Sequence, residues 1–374
     1  MMKFFATCGR GMEPILANEL AGIFAVDILP GRGGVYFSGD LATLYKANLW
    51  MRTAVRILRP IFDGPVRSPE ELYDAVWSID WFQYMTPDHT LAVDCNVRDS
   101  NITHSQYASR KVKDAICDQF RERTGVRPSV DVERPMVGMN LHISRNHATL
   151  SLDASWDSLH KRGYRPIQTR APLNESLAAG LLLSCGYDGS EPLVDPLCGS
   201  GTLCIEAAGI ALKRAPGLTR KWFGFHGWID FDRSLWAAIR DDARRTAQHI
   251  LSHTIVGSDT HRGAIHSAQD NAMSAELGRL IRFDATELKQ VRPPAGKPGV
   301  VICNPPYGER LGEEEEWVPL YRDLGECVKK HWPGWRLVVF TSNERLAKTV
   351  DLNVKRQTPF YNGSLACRLW EYEV

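Results

Sequence analysis

The most distinctive chemical motif of the sequence is Asn304-Pro305-Pro306-Tyr307, which follows the apolar run 300–303. The apolar run predicts a buried strand, and the prolines end its pairing because they remove two backbone donors. Asn304 would present a side-chain carbonyl, and Pro305 a main-chain carbonyl at a fixed separation from it. Two such acceptors match the two hydrogens of an exocyclic amino group on a base. Tyr307 supplies a ring on which that base can stack.

A second motif, Val-Asp-Pro-Leu-Cys-Gly-Ser-Gly-Thr, ends another predicted strand and opens a helix. Its glycines allow a ligand to approach the backbone, and the helix N-terminus offers free N–H groups. Ser200 is expected to cap that helix. A tight strand-to-helix turn without a ligand would look the same. The residues predicted to bind a cofactor here are Asp195, Pro196, Cys198, Gly199, Ser200, Gly201 and Thr202.

Acidic residues end the next two predicted strands. Asp259 could accept hydrogen bonds from two ribose hydroxyls, and Asp284, with Ala285 beside it, could accept an adenine amino group. Each aspartate alone could equally be a helix cap or turn former. The glycine-rich turn lacks the Lys-Ser/Thr of a phosphate-binding loop, and Asp195 would repel a pyrophosphate but suits a cation. S-adenosylmethionine fits this set, with S-adenosylhomocysteine as its product.

The two motifs together predict methyl transfer to an aromatic amine. The lone pair of such an amine is delocalised into the ring, so the nitrogen is a poor nucleophile. Two hydrogen bonds to Asn304 and Pro305 would pyramidalise the nitrogen and aim its lone pair at the sulfonium methyl. The same acceptors stabilise positive charge that develops on nitrogen. No strong base is needed, because the proton becomes acidic once the methyl has moved.

The hydrophobic pattern predicts several units along the chain. Residues 1–62 indicate a small α+β unit, residues 63–155 a second one, and residues 156–170 a polar, basic linker. The stretch 129–134 (SVDVER) is predicted to be a strand of the second unit. From residue 171 to 374, strands and helices alternate, which predicts a doubly wound, mostly parallel sheet closed by an Asn-Gly hairpin.

Composition excludes few partners. The chain has 374 residues, with 45 lysines and arginines against 44 acidic residues, so no global charge indicates a nucleic-acid ligand. Locally basic stretches at 109–114, 121–127 and 160–170 could reach phosphates. Nine scattered cysteines without a C-x-x-C pair favour a reducing cytoplasm and indicate neither disulfides nor a metal site. We expect no membrane span.

The sequence also resembles a known family. DPLCGSGT (195–202) and NPPYGERLG (304–312) resemble class I amino methyltransferases acting on exocyclic nitrogens of bases. Together with LHKRGYR (159–165), APLNESLAAGLLL (171–183) and FYNGSLACRLW (360–370), they resemble the bacterial large-subunit ribosomal RNA guanine-N2 methyltransferases that carry a THUMP domain. The resemblance covers nearly the whole chain, including an insertion after the first helix of the last domain.

This resemblance implies a ferredoxin-like unit, a THUMP RNA-binding domain and a class I, Rossmann-like methyltransferase domain with a seven-stranded sheet. It implies donor binding by the residues named above and by Asn304, and a target amino group held by Asn304, Pro305, Pro306 and Tyr307. The implied substrate is a guanine of 23S ribosomal RNA or of a ribosomal assembly intermediate. Leu197 replaces an aromatic residue frequent in relatives, a conservative change.

Three alternatives remain open at the level of sequence. The same chemistry could act on transfer RNA. A DNA adenine-N6 methyltransferase would share the Asn-Pro-Pro-Tyr motif, although the RNA-binding N-terminal units disfavour it. A non-catalytic RNA-binding assembly factor could retain the domain as a relic, which the intact Asn304 and three acidic strand ends disfavour. The oligomeric state is not indicated.

Overall fold

A computed structural model describes residues 1–165, 173–307 and 314–374. The N-terminal half forms one eight-stranded sheet with four helices packed on it. Its strands are β1 (Met2–Cys8), β2 (Val26–Gly31), β3 (Gly34–Gly39), β4 (Ala54–Pro65), β5 (Thr90–Arg98), β6 (Ser129–Val130), β7 (Val137–Ser144) and β8 (His147–Asp153). Its helices are α1 (Glu13–Gly22), α2 (Leu41–Trp50), α3 (Pro69–Trp77) and α4 (Ser105–Thr124).

Strand β4 joins the two predicted N-terminal units into a single sheet. The strand order is β2-β3-β1-β4-β8-β7-β5-β6, and β4 pairs antiparallel with β1 on one side and with β8 on the other. Its length of twelve residues allows both pairings. Buried side chains of both units consequently form one continuous hydrophobic core.

One local prediction for this half is wrong, and one strand was missed. The predicted strand 129–134 is only two residues long, because only Ser129 and Val130 pair with β5. Strand β2 has no sequence signal, since its residues are exposed or half-buried and show no alternation. Helix α4 ends at Gly125, whose φ of 75° is left-handed, a conformation that glycine adopts without strain.

The C-terminal half has the predicted doubly wound architecture. Its strands are β9 (Leu193–Asp195), β10 (Ile255–Asp259), β11 (Ile281–Ala285), β12 (Val300–Cys303), β13 (Arg336–Thr341), β14 (Asn353–Asn362) and β15 (Leu365–Glu373). Its helices are α5 (Glu175–Ser184), α6 (Thr202–Ala211), α7 (Arg233–Thr246), α8 (Arg262–Ser274), α9 (Glu314–His331) and α10 (Glu344–Thr349).

The strand order of this second sheet is β11-β10-β9-β12-β13-β15-β14. Strands β9 to β13 are parallel, whereas β15 pairs antiparallel with β13 and with β14. The predicted seven-stranded sheet with a terminal hairpin is therefore confirmed. The chain reverses its direction of travel between β9 and β12, and ligands of open parallel sheets bind at such a reversal.

The insertion between α6 and β10 packs on the N-terminal half. The Phe225 ring lies 4.5 Å from the Tyr45 ring, and the Asp232 backbone N–H donates to the Tyr45 hydroxyl at 2.9 Å. Phe223, Trp228 and Trp236 are buried in the same core as the N-terminal sheet. The predicted methyltransferase segment is thus continuous in sequence but contributes to both cores.

Hydrogen bonds of an arginine side chain also connect the two halves. The guanidinium of Arg52, two residues before β4, donates to the Gly209 carbonyl in α6 at 2.9 Å and to the Arg214 carbonyl after α6 at 2.7 Å. Arg162 is 3% exposed and lies 3.7 Å from the Glu206 carboxylate. Arg162 belongs to the predicted basic linker. Because it is buried beside Glu206, its charge is paired inside the protein and does not face solvent. Residues 166–170 of that segment lie outside the described residues.

Candidate active site

The predicted site residues converge at the carboxyl edge of the C-terminal sheet. Parallel pairing places Asp195 opposite Gly257, and Asp259 opposite Ala285. Asn304 directly follows β12, the neighbour of β9. Because carboxyl ends of parallel strands share one edge, side chains that follow β9, β10, β11 and β12 surround the same crevice.

The glycine-rich turn between β9 and α6 adopts a conformation that favours glycine. Gly199 has a φ of 51° and Gly201 a φ of 80°. A Cβ on Gly199 would meet open space, whereas a Cβ on Gly201 would lie 3.0 Å from the Ala268 Cβ on α8. Gly201 is itself the N-cap of α6 and no side chain caps the helix, so the predicted capping role of Ser200 is wrong. The N–H groups of the first turn of α6 lack a side-chain cap and suit a polar ligand.

Two side chains on α8 and β10 hold this turn in place. Asp259 accepts hydrogen bonds from the backbone N–H of Gly199 at 3.1 Å and of His261 at 2.9 Å. Asn271 is buried and donates through Nδ2 to the Ser200 carbonyl at 3.0 Å. A carboxylate accepts about four hydrogen bonds, so Asp259 retains acceptor capacity for a ligand.

Asp195 is a buried carboxyl without a cationic partner among the described residues. It is 2% exposed, and its Oδ1 accepts the Leu197 backbone N–H at 3.1 Å. The pKa of Asp195 is raised to about 8, mainly by burial; the Leu197 hydrogen bond lowers it in part, and the charge of Asp259 adds to the rise. A positive ligand group beside this carboxyl would favour its charged form. This environment fits a cationic donor and disfavours a phosphate.

Asp284 lies at the end of β11, as predicted, and forms an ion pair with a neighbouring side chain of the same strand. Its carboxylate lies 2.6 Å from the Arg282 guanidinium, and its side chain is about one-third exposed. The predicted contact of Asp284 with an adenine amino group remains a prediction, as does the placement of Ala285 beside it.

The corner after β12 carries the clearest sign of a missing partner. The side-chain Oδ1 of Asn304 is buried and accepts no hydrogen bond from any residue in the described ranges. An unpaired buried acceptor costs about 1–3 kcal/mol, so proteins rarely retain one without a function. Pro305 is buried and Pro306 is exposed next to it. An amino group placed against this corner would satisfy the Asn304 acceptor.

Tyr307 is more enclosed than a stacking role suggests. Its side chain is 8% exposed and packs in the apolar layer formed with α9 and β13. The Asn362 Nδ2 at the tip of the β14–β15 hairpin donates to the Tyr307 hydroxyl at 3.1 Å, which fixes the ring direction. Stacking of a base on Tyr307 remains a prediction. The rest of the NPPYGERLG motif, residues 308–312, lies outside the described residues.

Two site residues had little sequence signal. Asn271 lies on the buried face of α8 together with Ile265, Ala268 and Ala272. A polar residue on an otherwise apolar helix face was the one sequence signal of its role. Arg165 contacts the Thr202 hydroxyl and lies 3.4 Å from the Glu175 carboxylate, so it braces the start of α6. Its place in a polar linker gave no indication of burial.

The sheet order, glycine-rich turn, acidic strand ends and Asn-Pro-Pro-Tyr corner together define a class I methyltransferase. In the described ranges no cluster of His, Cys, Asp or Glu side chains could hold a metal ion, and no helix has the length and apolar character needed to cross a bilayer. The nine cysteines are free thiols.

Comparisons with known proteins identify the family. The RMKL-like methyltransferase domain matches residues 162–371, the THUMP domain residues 66–153, and the RlmL ferredoxin-like domain residues 3–58. The chain belongs to the RMKL-like methyltransferase family, with a ferredoxin-like and a THUMP domain before its methyltransferase domain. The predicted family and fold class are therefore confirmed.

Individual relatives support this assignment. Over its full length the chain is 45% identical to the ribosomal RNA large subunit methyltransferase K/L of Syntrophotalea carbinolica, of which it covers 54%. It thus spans about half the length of that relative. It is 41% identical to slr0064 of Synechocystis, named as an RNA methyltransferase, over 99% of this chain and 96% of the relative.

A solved structure agrees with this picture. The crystal structure of SMU.472 complexed with SAH superposes with a TM-score of 0.91 at 28% identity, covering 99% of this chain and 97% of the other.

Proposed function

We propose that this protein transfers a methyl group from S-adenosylmethionine to the exocyclic N2 amino group of a guanine in 23S ribosomal RNA. The observation that carries the proposal is the buried, unpartnered Oδ1 of Asn304 at the carboxyl edge of the sheet. A guanine amino group offers the hydrogen that this acceptor lacks. A cytoplasmic ribosomal RNA, or an assembly intermediate containing it, is the partner that the THUMP domain and the K/L relatives favour.

The donor would occupy the crevice beside the glycine-rich turn. It supplies an electrophilic methyl on a positively charged sulfur. Asp195 offers a carboxyl that this charge would hold in its ionised form, and Asp259 and Asp284 offer acceptors for hydroxyl and amino groups. The residues Pro196, Cys198, Gly199, Ser200, Gly201, Thr202 and Ala285 would shape the wall of the crevice.

The chain's own contribution to the reaction is orientation. Asn304 Oδ1 and the Pro305 carbonyl would accept the two amino hydrogens and hold the nitrogen lone pair toward the methyl. Both acceptors are fixed before the substrate arrives, because Pro305 has a locked φ and Asn304 leaves a buried strand. Preorganised acceptors of this kind contribute about 10²–10³-fold each to the rate. A guanine within folded RNA must be extruded to reach them.

The test is methylation of purified ribosomal RNA, transfer RNA and DNA with labelled S-adenosylmethionine, followed by identification of the modified nucleoside by chromatography and mass. We expect N2-methylguanosine in ribosomal RNA with the wild-type protein and about 10²–10³-fold less with Asn304→Ala. Asn304→Asp keeps an acceptor and should retain part of the rate. Asn18→Ala, an exposed position on α1, is the matched control and should be unaffected.

The possible results separate the alternatives. Label in transfer RNA alone keeps the chemistry and overturns the ribosomal assignment. N6-methyladenine in DNA would contradict both the assignment of guanine as the target base and the assignment of RNA as the substrate. No product in any pool, despite measurable donor binding, favours the non-catalytic assembly factor. Equal activity of wild type and Asn304→Ala contradicts the role of the corner.

A further inference from the structure

The insertion between α6 and β10 carries a groove that neither the fold nor the methyl-transfer site requires. The groove has a volume of about 440 Å³, within the range of about 300–1,000 Å³ typical of ligand pockets. We call it the insertion groove. It is lined by Lys221, Trp222, His226, Phe231, Arg233, Trp236, Ala237, Arg240, Asp241 and Arg244.

One wall of the insertion groove is aromatic. Trp222 is 40% exposed, and its ring meets the His226 imidazole edge-on at 5.1 Å. Trp236 is buried beneath, with the Arg240 guanidinium 5.7 Å from its ring centre. An indole that is fixed by a neighbouring ring and open on its outer side is a ready platform for a flat base.

The rim of the insertion groove is strongly cationic. It carries four basic side chains against the single carboxylate of Asp241, which lies 2.8 Å from Arg244. In the part of the chain that the structure describes, Lys221, Arg233 and Arg240 form no ion pair, and the Arg240 Nε is buried without a partner. This excess contrasts with the net charge of +1 of the whole chain.

Helical spacing explains why the cations lie together. Arg233, Arg240 and Arg244 are separated by seven and four residues on α7, so they share one face of the helix. Asp242 and Arg245 lie off that face and pair with each other at 3.4 Å. Three of the four cationic side chains of the groove therefore lie on one face of α7, and the fourth, Lys221, lies in the segment before this helix.

We propose that the insertion groove binds a single-stranded segment of the RNA substrate, with a base stacked on Trp222 and phosphates held by its cationic rim. Stacking platforms between basic side chains are how proteins hold single-stranded nucleic acid without reading its sequence. The inference rests on the proposed function, since it takes the substrate to be RNA. It adds a docking surface outside the THUMP domain and outside the methyl-transfer crevice.

The groove belongs to a segment that follows the end of α6 opposite the reacting base. Helix α6 starts at the carboxyl edge of the sheet and runs back toward Arg52 of the N-terminal half, so the insertion that follows it begins away from Asn304. A segment held there anchors the RNA and does not carry the target guanine. Loss of the groove should consequently raise KM for long RNA more than it lowers kcat.

The test uses the full chain and a fluorescently labelled oligouridylate, whose binding is followed by anisotropy as the salt concentration rises. Trp222→Ala should weaken binding about tenfold or more, whereas Trp222→Phe, which keeps a ring, should restore most of it. Arg233→Glu should reduce the slope of log K against log salt by about 0.7 for each phosphate that the variant no longer neutralises. Arg245→Glu, on the same helix but outside the groove, makes the same charge change and should leave the slope near that of wild type.

Parallel measurements keep this inference separate from the proposed function. Asn304→Ala should bind oligouridylate as wild type does while losing methylation. One outcome separates the two proposals: no protein methylates RNA, yet Trp222→Ala and Arg233→Glu still weaken binding. That result would support RNA binding by the insertion groove and contradict the proposed function. If Arg233→Glu matches Arg245→Glu and Trp222→Ala matches wild type, the groove is overturned. Equal binding of a duplex, unaffected by Trp222→Ala, overturns it as well.

Discussion

The protonation of Asp195 leads to a quantitative prediction for donor binding. Burial raises its pKa to about 8, so about nine-tenths of the free protein carries the neutral carboxyl at pH 7. A positively charged sulfonium beside the carboxyl favours the ionised form. Binding of S-adenosylmethionine should therefore release about 0.9 proton from this position at pH 7, and affinity should rise about tenfold from pH 6 to pH 7.

Isothermal titration calorimetry measures this proton release directly. Titrations at pH 7 in phosphate and in Tris, which differ in ionisation heat, give the number of protons from the slope of the observed heat. The donor's own amino group contributes equally to the wild type and to Asp195→Asn, so their difference isolates Asp195. Asp188→Asn is the matched control, because Asp188 is exposed in the turn before β9.

Stability provides an independent check with a defined sign. The pKa of Asp195 is raised on folding, so its stabilising contribution is fully present below pH 3.8 and is lost as the pH rises through about 8. Asp195→Asn should therefore be more stable than wild type at pH 9 and lose this advantage toward pH 4. Urea unfolding at both pH values measures the difference.

Two results would refute the reasoning about Asp195. Equal proton release by the wild type and Asp195→Asn would show that the carboxyl does not ionise on binding. A wild-type affinity that stays constant between pH 6 and pH 8 would show the same. S-adenosylhomocysteine refines the answer, because it lacks the sulfonium: equal release with both ligands would assign the contact to the amino group of the ligand.

Three further predictions concern stability. Asn304→Ala removes an unpaired buried acceptor, so its melting temperature should equal or exceed that of wild type in a thermal shift assay, and a clear decrease would reveal a structural role. Gly201→Ala should lose about 1–3 kcal/mol in urea unfolding, because its φ is 80° and its Cβ would crowd the Ala268 Cβ at 3.0 Å; an unchanged midpoint would contradict the strain. Arg52→Ala should lose about 1–3 kcal/mol, since it leaves the carbonyls of Gly209 and Arg214 without this donor, whereas Arg245→Ala should stay within about 0.5 kcal/mol.

Local sequence was sufficient to predict the architecture of the C-terminal half. Parallel strands that are covered on both faces have short apolar runs in their sequence, and the helices between them have amphipathic patterns. The order of the elements can therefore be predicted from hydrophobic periodicity. Once the strands are parallel, residues after them must share one edge. Asp195, Asp259, Asp284 and Asn304 could thus be grouped before any contact was known.

What each of these residues touches depends on the tertiary structure. Asp259 was predicted to face a ribose, and the fold adds a bond to the Gly199 backbone that orients the turn. Tyr307 was predicted to offer an open ring, and the hairpin residue Asn362 encloses it. Such contacts join residues far apart in sequence, and local periodicity carries no information about them.

The sequence by itself determined the order of elements, the shared edge and the chemistry of its residues, because propensity, turn residues and side-chain type act over a few positions. Only the tertiary structure decided that β4 unites two N-terminal units in one sheet and that the insertion leaves its own domain to pack on Tyr45. It also decided that Asn271 supports the glycine-rich turn. These features arise from pairing and packing between distant segments, where many partners satisfy the same local pattern and the complete core selects one.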